Sequence, residues 1–347
     1  MTPQRLYHLA LRELHAAAGA TFAVRGEWSL PAHYGDAAAE YEAVRRAAAV
    51  SDRSQRSRFV VTGTDASIVL AAVFAGHVDE IEEGRAMRTA ALDGEGRITD
   101  LALIARTGGI AYLVSGEPGQ RDATLARLGA AAQADFDVRI DDRTETTVAI
   151  VLAGPQAANV AGAHLAEALP ARLQPLHSLA FEFHGFRTLV TRTTDVGEDG
   201  FEFVVAPAVG QHIIETLRAA GVLLAGTEAH EIARVESCIP AFDPDLVTGL
   251  TPAEADIDVL LGIPGGDAAR ILAAILVEGE PVPPGTPLLA DGTTVGEVRS
   301  CLRSIALGAT VALGLLPSRI AAPGAILLAA GAPATVVARP FYRRRGH

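Results

Sequence analysis

An internal duplication constrains the fold of this chain more than any other feature. The run RFVVTG, from Arg58, predicts a strand, and Thr64 or Asp65 then caps a helix that ends near Phe74. A hairpin turning at residues 93–96, the strand AYLVS and the helix QRDATLARLGAAA follow. About 90 residues later the same order returns in TVAIVLAG, PQAANVAGAHLAEAL, the hairpin RTLVTRTTDVGEDGFEFVVA and GQHIIETLRAAG. The sequence thus predicts one supersecondary unit used twice.

Each predicted hairpin carries an acid just beyond its turn. Asp100 follows Gly96, and Glu202 follows Gly200 in the stretch GEDGFEF, where Asp199 and Gly200 are expected to turn the chain. Because side chains alternate faces along a strand, each acid shares the face of its own turn glycine. Two units paired about a pseudo-twofold axis would bring both acids to one central cavity. The alternative is that both face solvent, although apolar neighbours on each face favour a pocket wall.

The remaining segments extend this core at both ends. The first residues predict an amphipathic helix with Thr2 as N-cap, Pro3 at its first position and Gly19 as its end. From about Glu278 the chain consists of short β-like runs broken by Gly and Pro, which predicts a small all-β barrel or sandwich. We expect an α+β core over residues 1–274, with subdomains at about 50–140 and 145–225, and a barrel over 275–347.

The composition excludes several functional classes. A net charge of −12 argues against binding to nucleic acid, and no apolar run approaches the ~20 residues that span a bilayer. All 29 basic residues are Arg, so Schiff-base lysine chemistry and lysine-containing phosphate loops are absent. Cys238 and Cys301 have neither disulfide-framework nor zinc-site spacing, and the histidines lack metal spacing. We expect a cytoplasmic protein without a metal, in which His184 is a strand residue.

The order of several short motifs resembles a known family. These motifs, found along nearly the whole chain, are LPAHYGDAAAEYEAVRRAAAVSDRS, LDGEGRITD, LAGPQA, GEDGFEF, ARVESCIP, GLTPAEA, VGEVRS and ARPFY. Together they are similar to the glycine cleavage system T protein, a tetrahydrofolate-dependent aminomethyltransferase. The resemblance implies a cloverleaf of three domains around a central hole that holds folate.

The resemblance also implies roles for the two acids. The family glutamate at the position of Glu202 binds the pterin, whose edge offers two parallel N–H donors that a carboxylate accepts together. The family's catalytic aspartate lies in the motif matching GRITDLAL, where two adjacent aspartates are usual. Counting from Gly96 places Asp100 on the first and Leu101 on the second, and a shift of one residue in the turn places Asp100 on the second. Asp100 is the candidate for proton exchange with the folate nitrogen that accepts the one-carbon unit, and partial desolvation would raise its pKa.

Three further site positions differ from the family pattern. His230 stands where the T protein has a folate-binding arginine, Asp195 where it has the tyrosine of YTGEDG, and Arg88 where a tyrosine follows GRAM. We expect all three residues to line the site. Their identities favour a different donor, a different folate form or lost catalysis.

Two alternatives remain open beside aminomethyl transfer. One branch of the superfamily contains non-catalytic folate-binding proteins that assist iron–sulfur cluster assembly, although its KGCYxGQ-type motif is missing from VLLGIPGGDAARIL. Another contains demethylases that move a methyl group to tetrahydrofolate. The expected partners are a small one-carbon donor or a lipoyl carrier protein, and the expected state is a monomer or weak oligomer.

Overall fold

The computed structural model describes residues 6–344. The chain forms two compact units: the first contains residues up to 91 with 100–194 and 198–230, and the second contains 92–99, 195–197 and 231 onward. No helix in the described range is long and apolar enough to cross a membrane. Within the same range, no three His, Cys, Asp or Glu side chains are grouped so that they could hold a metal ion.

The predicted N-terminal helix is wrong in its first half. Tyr7 and His8 form a strand that pairs in parallel with Trp28 and Ser29, and the rings of Tyr7 and Trp28 stack with centroids 5.2 Å apart. The helix ends as predicted before Gly19, which has a positive φ. The predicted cap residues, Thr2 and Pro3, lie outside the described residues. The elements are β1 (Tyr7–His8), α1 (Arg12–Ala17), β2 (Thr21–Arg25) and β3 (Trp28–His33).

The first copy of the duplicated unit has its predicted elements. Its hairpin turns where expected, because the Asp93 carboxylate accepts the backbone N–H groups of Glu95 and Arg97, each at 2.9 Å. Asp65 precedes the predicted helix but its side chain does not cap it. The chain first forms α2 (Ala37–Arg46) and β4 (Ala49–Asp52), and β4 joins the second sheet. The elements of the first copy are β5 (Ser57–Thr62), α3 (Ala66–Val73), β6 (Ala86–Leu92), β7 (Ile98–Gly108), β8 (Ala111–Gly116), α4 (Arg121–Ala131) and β9 (Arg139–Asp142).

The second copy repeats the first and includes one strand, at Ser178–Phe183, that is absent from the predicted elements. Its elements are β10 (Val148–Ala153), α5 (Ala157–His164), α6 (Leu169–Arg172), β11 (Ser178–Phe183), β12 (Phe186–Thr191), β13 (Gly200–Val205), α7 (Pro207–Ala219) and β14 (Leu223–Leu224). His184, expected within a strand, instead lies in the turn between β11 and β12 with a positive φ. The additional strand changes which hairpins correspond.

The strand orders of the two sheets show the correspondence. The first sheet runs β6-β7-β8-β5-β9, and the second runs β11-β12-β13-β10-β4-β14. The hairpin β6–β7 therefore corresponds to β11–β12, while β13 corresponds to β8. The prediction that Asp100 and Glu202 occupy equivalent hairpins is wrong, since Asp100 lies on β7 and Glu202 on β13.

Helices cover one face of each sheet. In the first sheet Phe59, Ile104 and Val114 pack in a cluster with Leu70 of α3 and Leu128 of α4. In the second sheet the buried cluster contains side chains from β10, β13 and α7, namely Val148, Ile150, Leu152, Phe201, Phe203, Val205, Val209, Ile213 and Leu217. Burial of these side chains is the main favourable term for folding of the first unit.

The predicted barrel is confirmed as a closed six-stranded sheet. Its first strand begins at Arg270, and the boundary near residue 275 stays a prediction. The remaining elements are α8 (Thr227–Glu236), α9 (Asp258–Leu261), β15 (Arg270–Val277), β16 (Pro287–Ala290), β17 (Thr293–Ser304), β18 (Ala309–Pro317), β19 (Ile326–Ala329) and β20 (Ala332–Val337), with short helical turns at Val78–Glu80, Phe242–Leu246 and Ser318–Ile320.

Candidate functional site

Glu202 lies on the face of the second sheet opposite the buried cluster that contains α7. Its strand neighbours Phe201 and Phe203 point into the helix-covered core, so Glu202 points the other way. In the ladder it stands opposite Val151 on β10 and Thr191 on β12. The side chain is only 4% exposed. A carboxylate buried this deeply needs polar partners.

Those partners come from the face of the first sheet opposite α3 and α4. The Ser115 hydroxyl, on β8, donates to Glu202 Oε1 at 3.3 Å. Ser115 pairs with Leu103 on β7 and Arg58 on β5, so these three side chains share one face. Within the first unit, these two faces therefore meet at Glu202.

Arg56 connects Glu202 to a second acid. Its Nη1 lies 3.6 Å from Glu202 Oε2, an ion pair longer than a hydrogen bond. Its Nη2 donates to Glu117 Oε1 at 3.3 Å. One guanidinium thus bridges two carboxylates, one on β13 and one just after β8.

Asp100 lies on the opposite face of the first sheet. Its Oδ2 accepts the Thr124 hydroxyl of α4 at 2.6 Å, and its Oδ1 accepts the Glu117 backbone N–H at 3.1 Å. Asp100 is fully buried, and this burial raises the pKa of its carboxyl to about 7, although both hydrogen bonds act in the opposite direction. A carboxyl with this pKa exchanges its proton near neutral pH.

The predicted convergence of Asp100 and Glu202 on one cavity is therefore corrected. Asp100 shares its face with Ala102, whose ladder partner is Gly116 and not Ser115. Leu101 is the β7 residue next to Asp100 that turns toward the face of Ser115. The two acids approach the same strand end from opposite faces.

The loop before β13 is fixed by three arginines. Glu198 is buried and accepts a hydrogen bond from Arg45 at 3.2 Å. Asp199 accepts both Nε and Nη2 of Arg192, at 2.9 and 2.5 Å. It does not form a two-residue hairpin turn with Gly200, because Gly200 is the first residue of β13 and a loop spans residues 192–199.

Arg88, one of the predicted site residues, holds the same loop. From β6 its Nη2 donates to Thr193 Oγ1 at 2.8 Å and also to the Thr194 carbonyl oxygen. Arg88 thereby attaches the first sheet to the segment leading toward Glu202. Its proposed contact with a ligand stays a prediction.

The other two predicted residues are buried at different places. His230 lies in α8 and is 3% exposed. Just before α8, the Gly226 N–H donates to the buried carboxylate of Glu40 at 2.9 Å. Asp195 is also buried and belongs to the second unit. Their roles in binding stay predictions.

Sequence reasoning missed Arg56, Ser115 and Glu117. Arg56 belongs to the polar run RSQR, residues 53–56, which connects the strands β4 and β5. Ser115 and Glu117 lie at the polar end of the otherwise apolar strand AYLVS. Polar residues at a strand end were the available signal, but their partners are distant in sequence.

Comparisons with known proteins agree with the duplicated core and barrel. Residues 11–263 match the GCVT N-terminal domain, and residues 270–343 match the glycine cleavage T-protein C-terminal barrel domain. A relative named aminomethyltransferase from Streptomyces coelicolor is 30% identical over 373 residues, covering 99% of this chain and all of its own length. Another of that name, from Streptomyces avermitilis, is 29% identical over 366 residues, covering 97% and 98%.

A solved structure has the same fold. The crystal structure of glycine cleavage system aminomethyltransferase T from Bartonella henselae superimposes with a TM-score of 0.86 at 23% identity, over 98% of this chain and 99% of that one. With both domain families matched in order along one chain, this protein belongs to the glycine cleavage T-protein family.

Proposed function

We propose that this protein is a tetrahydrofolate-dependent aminomethyltransferase, which moves a one-carbon unit from an aminomethyl donor to tetrahydrofolate. Two observations support the proposal. Relatives that match over nearly the full chain are named aminomethyltransferases, and Glu202 is buried where the two sheets of the first unit meet. Glu202 is the observation on which the binding role depends.

The surroundings of Glu202 fit a pterin edge. A carboxylate has about four acceptor positions, and here one takes the Ser115 hydroxyl while Arg56 lies beyond hydrogen-bond distance. Acceptors therefore remain for a ring N–H and an adjacent amino group. Glutamine at this position would turn a donor toward one of those donors, so the fit is specific for the carboxylate.

Asp100 is proposed to hold and exchange a proton. When bound, tetrahydrofolate would supply the nitrogen that accepts the one-carbon unit. The raised pKa of Asp100, about 7, suits a group that gives and takes a proton near neutral pH. Because Asp100 is enclosed, direct exchange requires its bonds to Thr124 and the Glu117 N–H to open.

The remaining roles concern the donor. We propose that His230 and Arg88 line the donor side of the site, where they replace the arginine and a tyrosine expected from the family. The donor class is an aminomethyl group, carried by a lipoyl protein or by a small molecule. We further propose that the protein acts in the cytoplasm, which is supported by the absence of a disulfide between Cys238 and Cys301.

The test combines binding with turnover. Titration with tetrahydrofolate should give an affinity that falls on the order of 10- to 100-fold in Glu202→Gln, since a charge-assisted bidentate contact is lost. Glu182→Gln, on an exposed position of β11 in the same sheet, is the matched control and should bind normally. Asp100→Asn should bind tetrahydrofolate but lose transfer from an aminomethyl-lipoyl donor.

Two results would argue against the proposal. Equal affinity of wild type and Glu202→Gln would remove Glu202 from the binding site. Binding of tetrahydrofolate without transfer from any aminomethyl donor would make the protein a folate-binding protein and not a transferase.

A further inference from the structure

Two arginines lie near Glu202, and one of them is fully engaged. All five N–H groups of Arg58 have acceptors, with donor–acceptor distances between 2.5 and 3.1 Å. These acceptors are the Ser54, Arg56, Thr144 and Thr147 carbonyl oxygens and the Thr147 hydroxyl. Arg58 is therefore fixed to the backbone and cannot turn toward Glu202.

Arg56 is held differently, because two acids share it. Its contact with Glu117 is within hydrogen-bond distance, at 3.3 Å, whereas its contact with Glu202 is a longer ion pair, at 3.6 Å. The Arg56 and Glu117 side chains are 18% and 15% exposed. Moving Arg56 away from Glu202 breaks the longer contact and leaves the cation paired with Glu117.

The guanidinium has the same donor pattern as the ligand proposed for Glu202. Both the guanidinium fork and the pterin edge are planar and present neighbouring N–H groups that match the two oxygens of a carboxylate. Only one such planar donor pair can bridge the two oxygens of a carboxylate at a time. The cation and the ligand must therefore compete for Glu202.

We propose that Arg56 is an internal competitor for Glu202, and that Glu117 takes over the guanidinium when a folate occupies the site. This inference rests on the proposed function, since it requires the pterin edge to bind Glu202. Glu117 does not touch the pterin. It lowers the free-energy cost of separating Arg56 from Glu202, because the Arg56 charge stays paired. Together Arg56 and Glu117 set the affinity for the one-carbon carrier.

The test is a double-mutant cycle on tetrahydrofolate binding. Arg56→Met removes the competitor and should tighten binding roughly three- to tenfold, the range expected for one partly buried ion pair. Glu117→Gln returns Arg56 to Glu202 and should weaken binding by a similar factor. In the Arg56→Met background, Glu117→Gln should have no effect, because no guanidinium remains to be held.

A second probe locates the effect on the ligand. Tetrahydropterin, which lacks the glutamate tail, should show the same fold-changes as tetrahydrofolate if Arg56 competes at the pterin edge. Arg56→Lys keeps the charge but loses the planar fork, so it should tighten binding in the same direction by a smaller factor. Arg56→Lys also tests the proposal if Arg56→Met does not fold. Arg46→Met, at an exposed ion pair on α2, is the control and should leave binding unchanged.

The outcomes separate the two proposals. If wild type binds tetrahydrofolate but Arg56→Met and Arg56→Lys bind it more weakly, Arg56 supports the site as a counter-ion for two like charges and the competitor is ruled out. If the Arg56 variants change the affinity for tetrahydrofolate but not for tetrahydropterin, Arg56 acts on the glutamate tail. This result would also overturn the proposed competition for Glu202. Absence of binding in wild type and every variant would reject the proposed function, and the competitor with it.

Discussion

Asp100 and Glu202 contact the same strand end from opposite faces. Glu202 accepts the Ser115 hydroxyl on one face, and Asp100 accepts the Glu117 backbone N–H from the other. Gly116 lies between these two contacts as the last residue of β8. A change at this strand end therefore reaches both acids.

Gly116→Ala should disturb this arrangement. A Cβ at residue 116 would lie 2.6 Å from Ser57 Oγ and 2.8 Å from Asp100 Oδ2, closer than side-chain carbons normally come. We expect a loss of roughly 1–3 kcal/mol in the free energy of unfolding, as for overpacked buried sites, together with reduced transfer. Gly109→Ala is the matched control, because nothing lies within 4 Å of its Cβ. Denaturant unfolding of both variants measures the difference, and equal stabilities would contradict the predicted contact.

Asp100→Asn should alter the pH dependence of stability. The pKa of Asp100 rises from an ordinary 3.8 to about 7 on folding, so between these values the unfolded chain loses a proton that the folded protein keeps. Wild-type stability should then fall across this window, by at most about 1.4 kcal/mol per pH unit from this group. Asparagine cannot ionise, so the variant should gain stability relative to wild type as the pH rises from 4 to 7, and no further above 7.

Thermal melting at several pH values between 4 and 8 tests this prediction. Asp122→Asn, at an exposed position of the same helix that supplies Thr124, is the control for a general effect of charge removal. A difference between Asp100→Asn and wild type that stays constant over the whole range would mean that Asp100 is ionised in the folded protein.

Neighbouring arginines on α2 should differ sharply in their importance. Arg45 pairs with Glu198 at 3.2 Å, and both side chains are almost fully buried. Arg45→Met leaves a buried carboxylate without this cation and should cost roughly 3–5 kcal/mol. Arg46→Met removes only an exposed pair with Glu42 and should cost less than about 1 kcal/mol. Urea unfolding of the two variants gives the comparison, and equal losses would count against a buried ion pair at Glu198.

Glu40→Gln should loosen the segment before α8. The two oxygens of Glu40 accept the backbone N–H groups of Tyr34, at 2.5 Å, and Gly226, at 2.9 Å. Glutamine has one oxygen, so one N–H would face an amide donor, at a cost of roughly 1–3 kcal/mol. Hydrogen exchange at Gly226 should become faster. Glu42→Gln, exposed on the same helix, should leave that exchange unchanged.

Much of the fold was accessible from sequence because it depends on local periodicity. The helices, the turn at Asp93 and the barrel follow from hydrophobic spacing and from the placement of Gly and Pro. The correspondence between the hairpins of the two copies differs from the predicted one. The predicted elements lack the strand within LHSLAFEFHGF and the turn at His184. Without β11, the predicted repeat matches β13 to β7, whereas in the structure β13 corresponds to β8.

The site was predicted in part for a similar reason. Glu202 stood out because a carboxylate among Phe and Val needs an explanation. Asp100 was assigned a face from its turn glycine, but which face of a strand meets another sheet is decided by long-range packing. Arg56 and Glu117 are 61 residues apart in sequence, so no local pattern could have paired them.

The two compact units are interleaved along the chain, which passes between them at residues 91/92, 99/100, 194/195, 197/198 and 230/231. No single cut separates them. An exchange between relatives of the chain from residue 231 onward would carry away the Leu250 carbonyl oxygen, which accepts the Ile98 N–H, while Ile98 stays in the N-terminal part. Residues 92–99 at the tip of one hairpin and loop residues 195–197 belong to the same unit as the C-terminal half. Recombination at one boundary would therefore join contact surfaces from two different relatives within that unit.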